Sequence, residues 1–203
     1  DGISSSFEEA VRRMSDVLAV TGRVLPVTLD DVRLCAELED GYIICGEENI
    51  GKHNSIHKGR IKRAFLDLPS SKPLQEALDA IMEADIIVLG PGSLYTSIIP
   101  NLLVDGVCDH ISKSSALKVY VCNIMTQPGE TENYSVYDHI DAIEKHSCRG
   151  IIDYCIVNTA SIPKELERKY ADDGAEPVKV DYQLIENAGI KVITGEFASI
   201  KDN

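Results

Sequence analysis

Three short apolar runs, residues 86–89, 118–122 and 154–157, constrain this chain more than any other feature. Runs of that length are strands, and continuous rather than alternating apolar character suits parallel strands buried on both faces. Between them the spacing is helical. Leu74, Ala77, Leu78 and Ile81 line one face of a helix that starts just after Pro73, and Val136, Ile140 and Ile143 mark another. Strands alternating with helices imply βαβ units. The expected fold is therefore α/β, a mostly parallel sheet with helices on both faces. Residues 178–180 and 191–194 add one or two strands at the end.

Residues 24–68 interrupt that rhythm as a β-rich insert. Val32, Leu34, Ala36 and Leu38 alternate with polar residues, Asp40-Gly41 supplies a two-residue turn, and residues 42–45 return as a hairpin. Residues 47–59 read as a turn-rich segment, and residues 61–68 as a further strand. Ahead of the insert, Ser6 and Glu9 form a capping box before Phe7, Ala10, Val11, Met14, Val17 and Leu18 at helical spacing, with Gly22 as the stop. Residues 1–203 are expected to form a single domain that contains the insert.

Charge narrows the partners. With 33 acidic against 20 basic residues the net charge is −13, which argues against nucleic acid. A small phosphate ligand remains open, because backbone N–H groups at a helix start hold phosphate without a basic surface. No apolar run approaches the ~20 residues of a membrane span, and the first residues do not resemble a signal peptide. The expected place is the cytoplasm, and the lack of an initiator Met suggests a start within a longer chain. The cysteines, Cys35, Cys45, Cys108, Cys122, Cys148 and Cys155, show no C-x-x-C pair and no zinc spacing. They are expected as six reduced thiols. His53 and His57 sit in a Gly/Asn-rich segment without a helical pattern, so no metal pair is expected there. His139 and His146 read as solvated residues on one helix face.

The densest chemical signal is Leu89-Gly90-Pro91-Gly92-Ser93-Leu94-Tyr95-Thr96-Ser97-Ile98, where a strand runs through a glycine turn into hydroxyl residues and a helix start. Ligands of open α/β sheets bind outside the carboxyl ends of the strands. Gly90 and Gly92 let the backbone approach a ligand, and Ser93, Thr96 and Ser97 add hydroxyls beside exposed N–H groups. A Walker loop needs a Lys that is absent. A dinucleotide fingerprint needs a glycine where Tyr95 stands and an acid where Asn123 stands, so NAD is not expected. The alternative is a tight turn capped by Ser93. A second loop, Asn123-Ile124-Met125-Thr126-Gln127-Pro128-Gly129-Glu130, leaves the next strand toward the same crevice. Asn123, Thr126 and Gln127 can donate to phosphate or sugar oxygens, and Glu130 can reach a ribose or a hydrated cation. Equally, Pro128-Gly129 is a plain turn whose polar neighbours satisfy its backbone.

These loops resemble the gluconeogenesis-factor family, which is related to the 2-phospho-L-lactate transferases of deazaflavin-cofactor synthesis. The strings that carry the resemblance are Thr21-Gly22-Arg23-Val24-Leu25-Pro26, Leu38-Glu39-Asp40-Gly41, the run from Leu89 through Val104, and Lys118-Val119-Tyr120-Val121-Cys122-Asn123-Ile124-Met125-Thr126-Gln127-Pro128-Gly129-Glu130-Thr131. The resemblance implies a Rossmann-like fold with a nucleotide ligand, UDP-N-acetylglucosamine or a related nucleotide sugar, and a regulatory role in gluconeogenic growth, cell-wall synthesis and cell shape. It also implies ligand contact by Leu94, Tyr95 and Tyr170. The transferase branch implies an enzyme that uses magnesium; there the phosphate loop reads Gly-Pro-Ser-Asn-Pro, and Gly92-Ser93-Leu94 favours the regulator. A scaffold for cell-envelope enzymes is a further alternative, and a homo-oligomer is compatible with all three. The family's N-terminal Gly-Gly-Gly-Thr-Gly loop and its acidic metal-binding segment do not occur in this sequence.

Overall fold

The computed structural model describes residues 22–57 and 59–198; the helix expected around Phe7 and Leu18 lies outside them. A three-stranded antiparallel sheet comes first, ordered β2-β1-β3 from β1 (Leu34–Leu38), β2 (Ile43–Cys45) and β3 (Ile61–Leu66). A helix, α1 (Glu47–His57), links its last two strands. The alternation of Leu34, Ala36 and Leu38 selects the inward face, and all three are buried.

The hairpin differs from expectation at its turn. Leu38 donates its N–H to Tyr42 and accepts from Gly41, both at 2.9 Å, so Glu39, Asp40 and Gly41 form a three-residue loop. A two-residue type I′ turn needs positive φ at both centres, and only Gly41 has it, at 85°.

Two further expectations are overturned in this insert. Residues 47–57 are helical despite Asn49, Gly51 and Asn54, because tertiary contacts outweigh weak propensity. Ile50 is fully buried, and the Asn54 amide donates to the Gly129 carbonyl at 2.7 Å while accepting from the Gly59 N–H at 3.0 Å. Cys35 and Cys45 are joined as a disulfide rather than held as free thiols. They face each other in the β1–β2 register, with Cα atoms 4.1 Å apart. Their pair lies between hydrogen-bonded pairs, the position where facing side chains come closest.

The larger sheet is parallel and ordered β4-β5-β6-β7, from β4 (Ile86–Leu89), β5 (Leu117–Val121), β6 (Tyr154–Asn158) and β7 (Lys191–Gly195). The helix after Pro73 is α2 (Gln75–Glu83). After β4 come a π-helical turn (Leu94–Ile98), α3 (Ile99–Leu102) and α4 (Val107–Lys113). The β5–β6 crossover carries α5 (Val136–Lys145), and the β6–β7 crossover carries α6 (Lys164–Asp172) and α7 (Tyr182–Asn187). Helices occupy each of the three crossovers between neighbouring parallel strands. Leu89, Tyr120, Cys155 and Val157 join a single apolar cluster with Leu34, Ala36 and Leu66 of the small sheet. Among the described residues β4 is the edge of its sheet, and its Ile86 and Val88 are 57% and 55% exposed. The apolar run of β4 signalled a strand but not its cover. Residues 178–180 form no strand and make one isolated bridge, Lys179 to Ser135, beside that of Pro177 to Met125.

Thiol titration of freshly prepared, denatured and unreduced protein should count four reactive groups, Cys108, Cys122, Cys148 and Cys155. A count of six would contradict the Cys35–Cys45 bond.

Candidate functional site

The carboxyl ends of β4 and β5 bring both predicted loops together. Gly90 has φ of 82°, and a Cβ there would meet the Val121 carbonyl oxygen at 2.9 Å, so the turn itself requires glycine. Gly92 is different. A Cβ on it would touch only Ser97 Cβ at 3.4 Å and Ile98 Cγ1 at 3.9 Å. Its backbone is clasped instead: Asn123 Oδ1 accepts its N–H at 3.3 Å, and Asn123 Nδ2 donates to its carbonyl at 2.8 Å. Packing within the chain does not demand glycine there, whereas close approach from outside would.

Glu130 organises the helix start. It is 3% exposed, and its Oε2 accepts the Tyr95 N–H at 3.1 Å. Its Oε1 accepts from the Thr96 hydroxyl at 3.0 Å and from Gln127 Nε2 at 2.8 Å. A carboxylate thus occupies the place where a helix N-terminus attracts an anion. Burial raises its pKa above the ordinary 4.5, opposed by the bonds from Thr96 and Tyr95. The sequence suggested Glu130 for a ribose or cation; the fold turns it inward as a strut between the loops. Gln127 and Thr126 are struts as well. Thr126 Oγ1 accepts the Glu176 N–H at 2.9 Å, and the Thr126 N–H reaches the Glu176 carbonyl at 2.8 Å.

Among the remaining candidates, Leu94 and Tyr95 are buried, Ser93 makes no capping bond, and Ser97 is exposed. The alternative of a Ser93-capped turn is therefore not what forms. Tyr170 stands 44% exposed on α6. The turn just after that helix reaches the second loop, since a Cβ on Gly174 would lie 3.7 Å from Pro128 Cγ.

Several residues escaped the sequence reading. Asn158 Oδ1 accepts the N–H groups of Ala160, Phe197 and Ala198 at 3.3, 2.9 and 3.1 Å. The legible signal is that two neighbouring strand runs each end in asparagine, Cys122-Asn123 and Val157-Asn158. Tyr134 is the second. Its hydroxyl lies 2.9 Å from that of Tyr95, and the Arg60 guanidinium sits 5.1 Å over its ring. His139 and His146 are not solvated, because their helix face turns toward these rings. His139 is fully buried with Nδ1 on the Ser135 carbonyl at 2.8 Å. His146 Nε2 accepts the Ala64 N–H at 2.8 Å, while Nδ1 meets the Ala142 carbonyl at 2.6 Å, which caps the free edge of β3. No three His, Cys, Asp or Glu side chains converge as metal ligands among the described residues.

Against known proteins, the profile described as 2-phospho-L-lactate transferase CofD matches residues 1–198. A protein of Thermoanaerobacterium thermosulfurigenes is 54% identical over 203 residues, 100% of this chain and 62% of that protein. The gluconeogenesis factor of Bacillus subtilis (strain 168) is 45% identical over 201 residues, 99% of this chain and 62% of the relative. A crystal structure of a Bacillus halodurans protein superposes with a TM-score of 0.90 at 45% identity, covering 97% of this chain and 62% of that one. The chain spans about three-fifths of the length of these relatives.

Glu130→Ala leaves the Tyr95 N–H and the Thr96 hydroxyl buried without an acceptor. It should lower the unfolding free energy by about 2–3 kcal/mol in urea titrations. A change below about 0.5 kcal/mol would remove Glu130 as the organiser of the loop.

The histidines generate a pH prediction. Burial holds the pKa of both His139 and His146 below 6.5. A lowered folded value contributes stability above the unfolded value, and this is lost as pH falls through 6.5 to the folded value. Glu130 acts in the opposite sense, costing stability as pH rises from 4.5 through its raised value. A His146→Gln variant isolates one contribution. Its loss of stability between about pH 7.5 and about pH 5.5 should be smaller than that of the wild type; equal losses would contradict a neutral His146 in the fold.

Proposed function

Because the chain belongs to the 2-phospho-L-lactate transferase CofD family, we propose that it forms the ligand-binding part of a regulator that holds a nucleotide sugar, UDP-N-acetylglucosamine. The diphosphate lies over residues 92–97, and the bound state reports on sugar supply for gluconeogenic growth, wall synthesis and cell shape. The observation that carries this reading is Gly92. Its backbone is held open by Asn123 at a strand's carboxyl end, with room for a Cβ that the sequence does not use. Ser93 and Ser97 stand beside it with hydroxyls free to donate. The carboxylate of Glu130 satisfies the inner N–H groups of the helix start, so the phosphates take the outer side, against Gly92 and Ser93. The gluconeogenesis-factor name of the Bacillus subtilis relative supports a regulatory role over turnover.

The second reading is a phospholactyl transfer, favoured by the name of the matching family profile. Thermal unfolding of the full-length gene product separates the two. UDP-N-acetylglucosamine at about 100 times its dissociation constant adds about 2.7 kcal/mol of stability. Stabilisation only by a guanosine nucleotide, with deazaflavin product formed in the presence of magnesium, would select the transferase instead. Gly92→Val should keep the fold and weaken nucleotide-sugar binding at least about tenfold, a loss of about 1.4 kcal/mol. Unchanged affinity in a folded Gly92→Val protein would take this loop out of the site.

A further inference from the structure

The Cys35–Cys45 bond sits where the small sheet passes into α1, the helix that braces the Gly129–Glu130 corner. Resting on the reading above, we propose that this bond is a redox-sensitive clamp on the nucleotide-sugar site. Closed, it holds the ligand loops in shape; a dithiol reductant opens it and weakens binding.

β2 is an edge strand of three residues that meets β1 in three register pairs, and a ladder that short is marginal without further support. The disulfide closes the end of it that leads into α1. One residue on, the Gly46 N–H donates to the Leu34 carbonyl at 2.7 Å, and Asn49 Nδ2 donates to the Cys45 carbonyl at 2.9 Å. The covalent link and these two bonds fix the root of α1. The helix has little propensity of its own, with Asn49, Gly51 and Asn54 in it, so it follows the strand that anchors it. Further along, Gly51 packs on Gly129 and Asn54 donates to the Gly129 carbonyl at 2.7 Å. Gly129 precedes Glu130, which holds Tyr95 and Thr96 of the first loop. A shift at the root of α1 therefore reaches the ligand loop through one helix and one buried corner.

The bond is also reachable. Leu34, Ala36 and Leu38 turn toward the core, so Cys35 takes the opposite face of the sheet, between Cys45 and Phe65 in register. Cys35 is buried, while Cys45, on the edge strand, is half-buried. A reductant thus meets the Cys45 sulfur first. Its thiolate attacks Cys45 Sγ, the S–S bond breaks, and Cys35 leaves as a thiolate that takes up a proton. The second thiol of the reductant then displaces Cys45 and leaves as the reductant's own disulfide. Two electrons and two protons pass to the chain, and β2 is held by its short ladder alone. The four free cysteines lie outside the small sheet and take no part.

Calorimetry with UDP-N-acetylglucosamine on the full-length gene product tests this, comparing oxidised protein with protein treated with dithiothreitol. A gain of two thiols confirms the reduction. Reduction should weaken binding at least about fivefold, and amide hydrogen exchange at Ile50 and Asn54 should quicken about tenfold or more. A variant carrying Cys35→Ala and Cys45→Ala should bind as the reduced wild type does and ignore the reductant. Should that variant fail to fold, the two states of the wild type decide alone. The same affinity in both states, or a double variant that still responds to dithiothreitol, overturns the clamp while nucleotide-sugar binding stands. If neither state binds the nucleotide sugar, the functional reading falls, and exchange at Ile50 and Asn54 that reduction leaves unchanged overturns the clamp as well.

Discussion

The inward carboxylate of Glu130 is the contact on which the site depends. Loops at strand ends hold their shape only if their polar groups are satisfied, and buried ones cost most when they are not. Glu130 accepts from Tyr95 and Thr96 on the first loop and from Gln127 on the second. It therefore joins segments that are 35 residues apart and neutralises part of the positive end of the helix between them. The same group decides where a ligand's charge can go. With the inner N–H groups taken and the Gly92 N–H held by Asn123, an anion on the solvent side of this loop meets its donors at Ser93, beside the open backbone of Gly92.

The small antiparallel sheet is tied to the same place by independent contacts. Asn54 of α1 bonds the Gly129 carbonyl, and Gly129, at φ of 84°, packs so closely on Gly51 that a Cβ would overlap its carbonyl. His146 links β3 to the end of α5 and presents its edge to the Tyr95 ring, with centroids 5.7 Å apart. Arg60 over Tyr134, and Tyr134 on Tyr95, complete the connection. The insert is thus a buttress for the Gly129–Glu130 corner and for the helix start, so its stability and the geometry of the ligand loop are coupled.

What could be read from the sequence follows from how far each signal reaches along the chain. The β4, β5 and β6 strands and the helix after Pro73 were legible because apolar spacing is local. The hairpin was legible for the same reason, though its turn gained a residue. Helix α1 was not, since Asn49, Gly51 and Asn54 disfavour helix, and it is held by tertiary contacts such as buried Ile50 and the bond from Asn54 to Gly129. The Cys35–Cys45 bond was hidden because it depends on register: either cysteine alone reads as a strand hydrophobe. Glu130 was recognised as a candidate, but its bonds to Tyr95 and Thr96 were not legible, for those two partners lie on the other loop. His139 and His146 looked solvated among Asp138 and Asp141, and nothing local shows that Tyr95 and Tyr134 would cover that face. The strand-end pair Asn123 and Asn158 was readable in principle, and only Asn123 was read.

The central claim is that phosphates lie against the Gly92–Ser93 backbone. Backbone amide resonances of the full chain, followed during a UDP-N-acetylglucosamine titration, test it most directly. The account predicts that the N–H signals of Gly92, Ser93 and Leu94 move most, in saturable fashion, while Tyr95, bonded to Glu130, moves little. Saturable shifts elsewhere that leave residues 92–94 unmoved would contradict it.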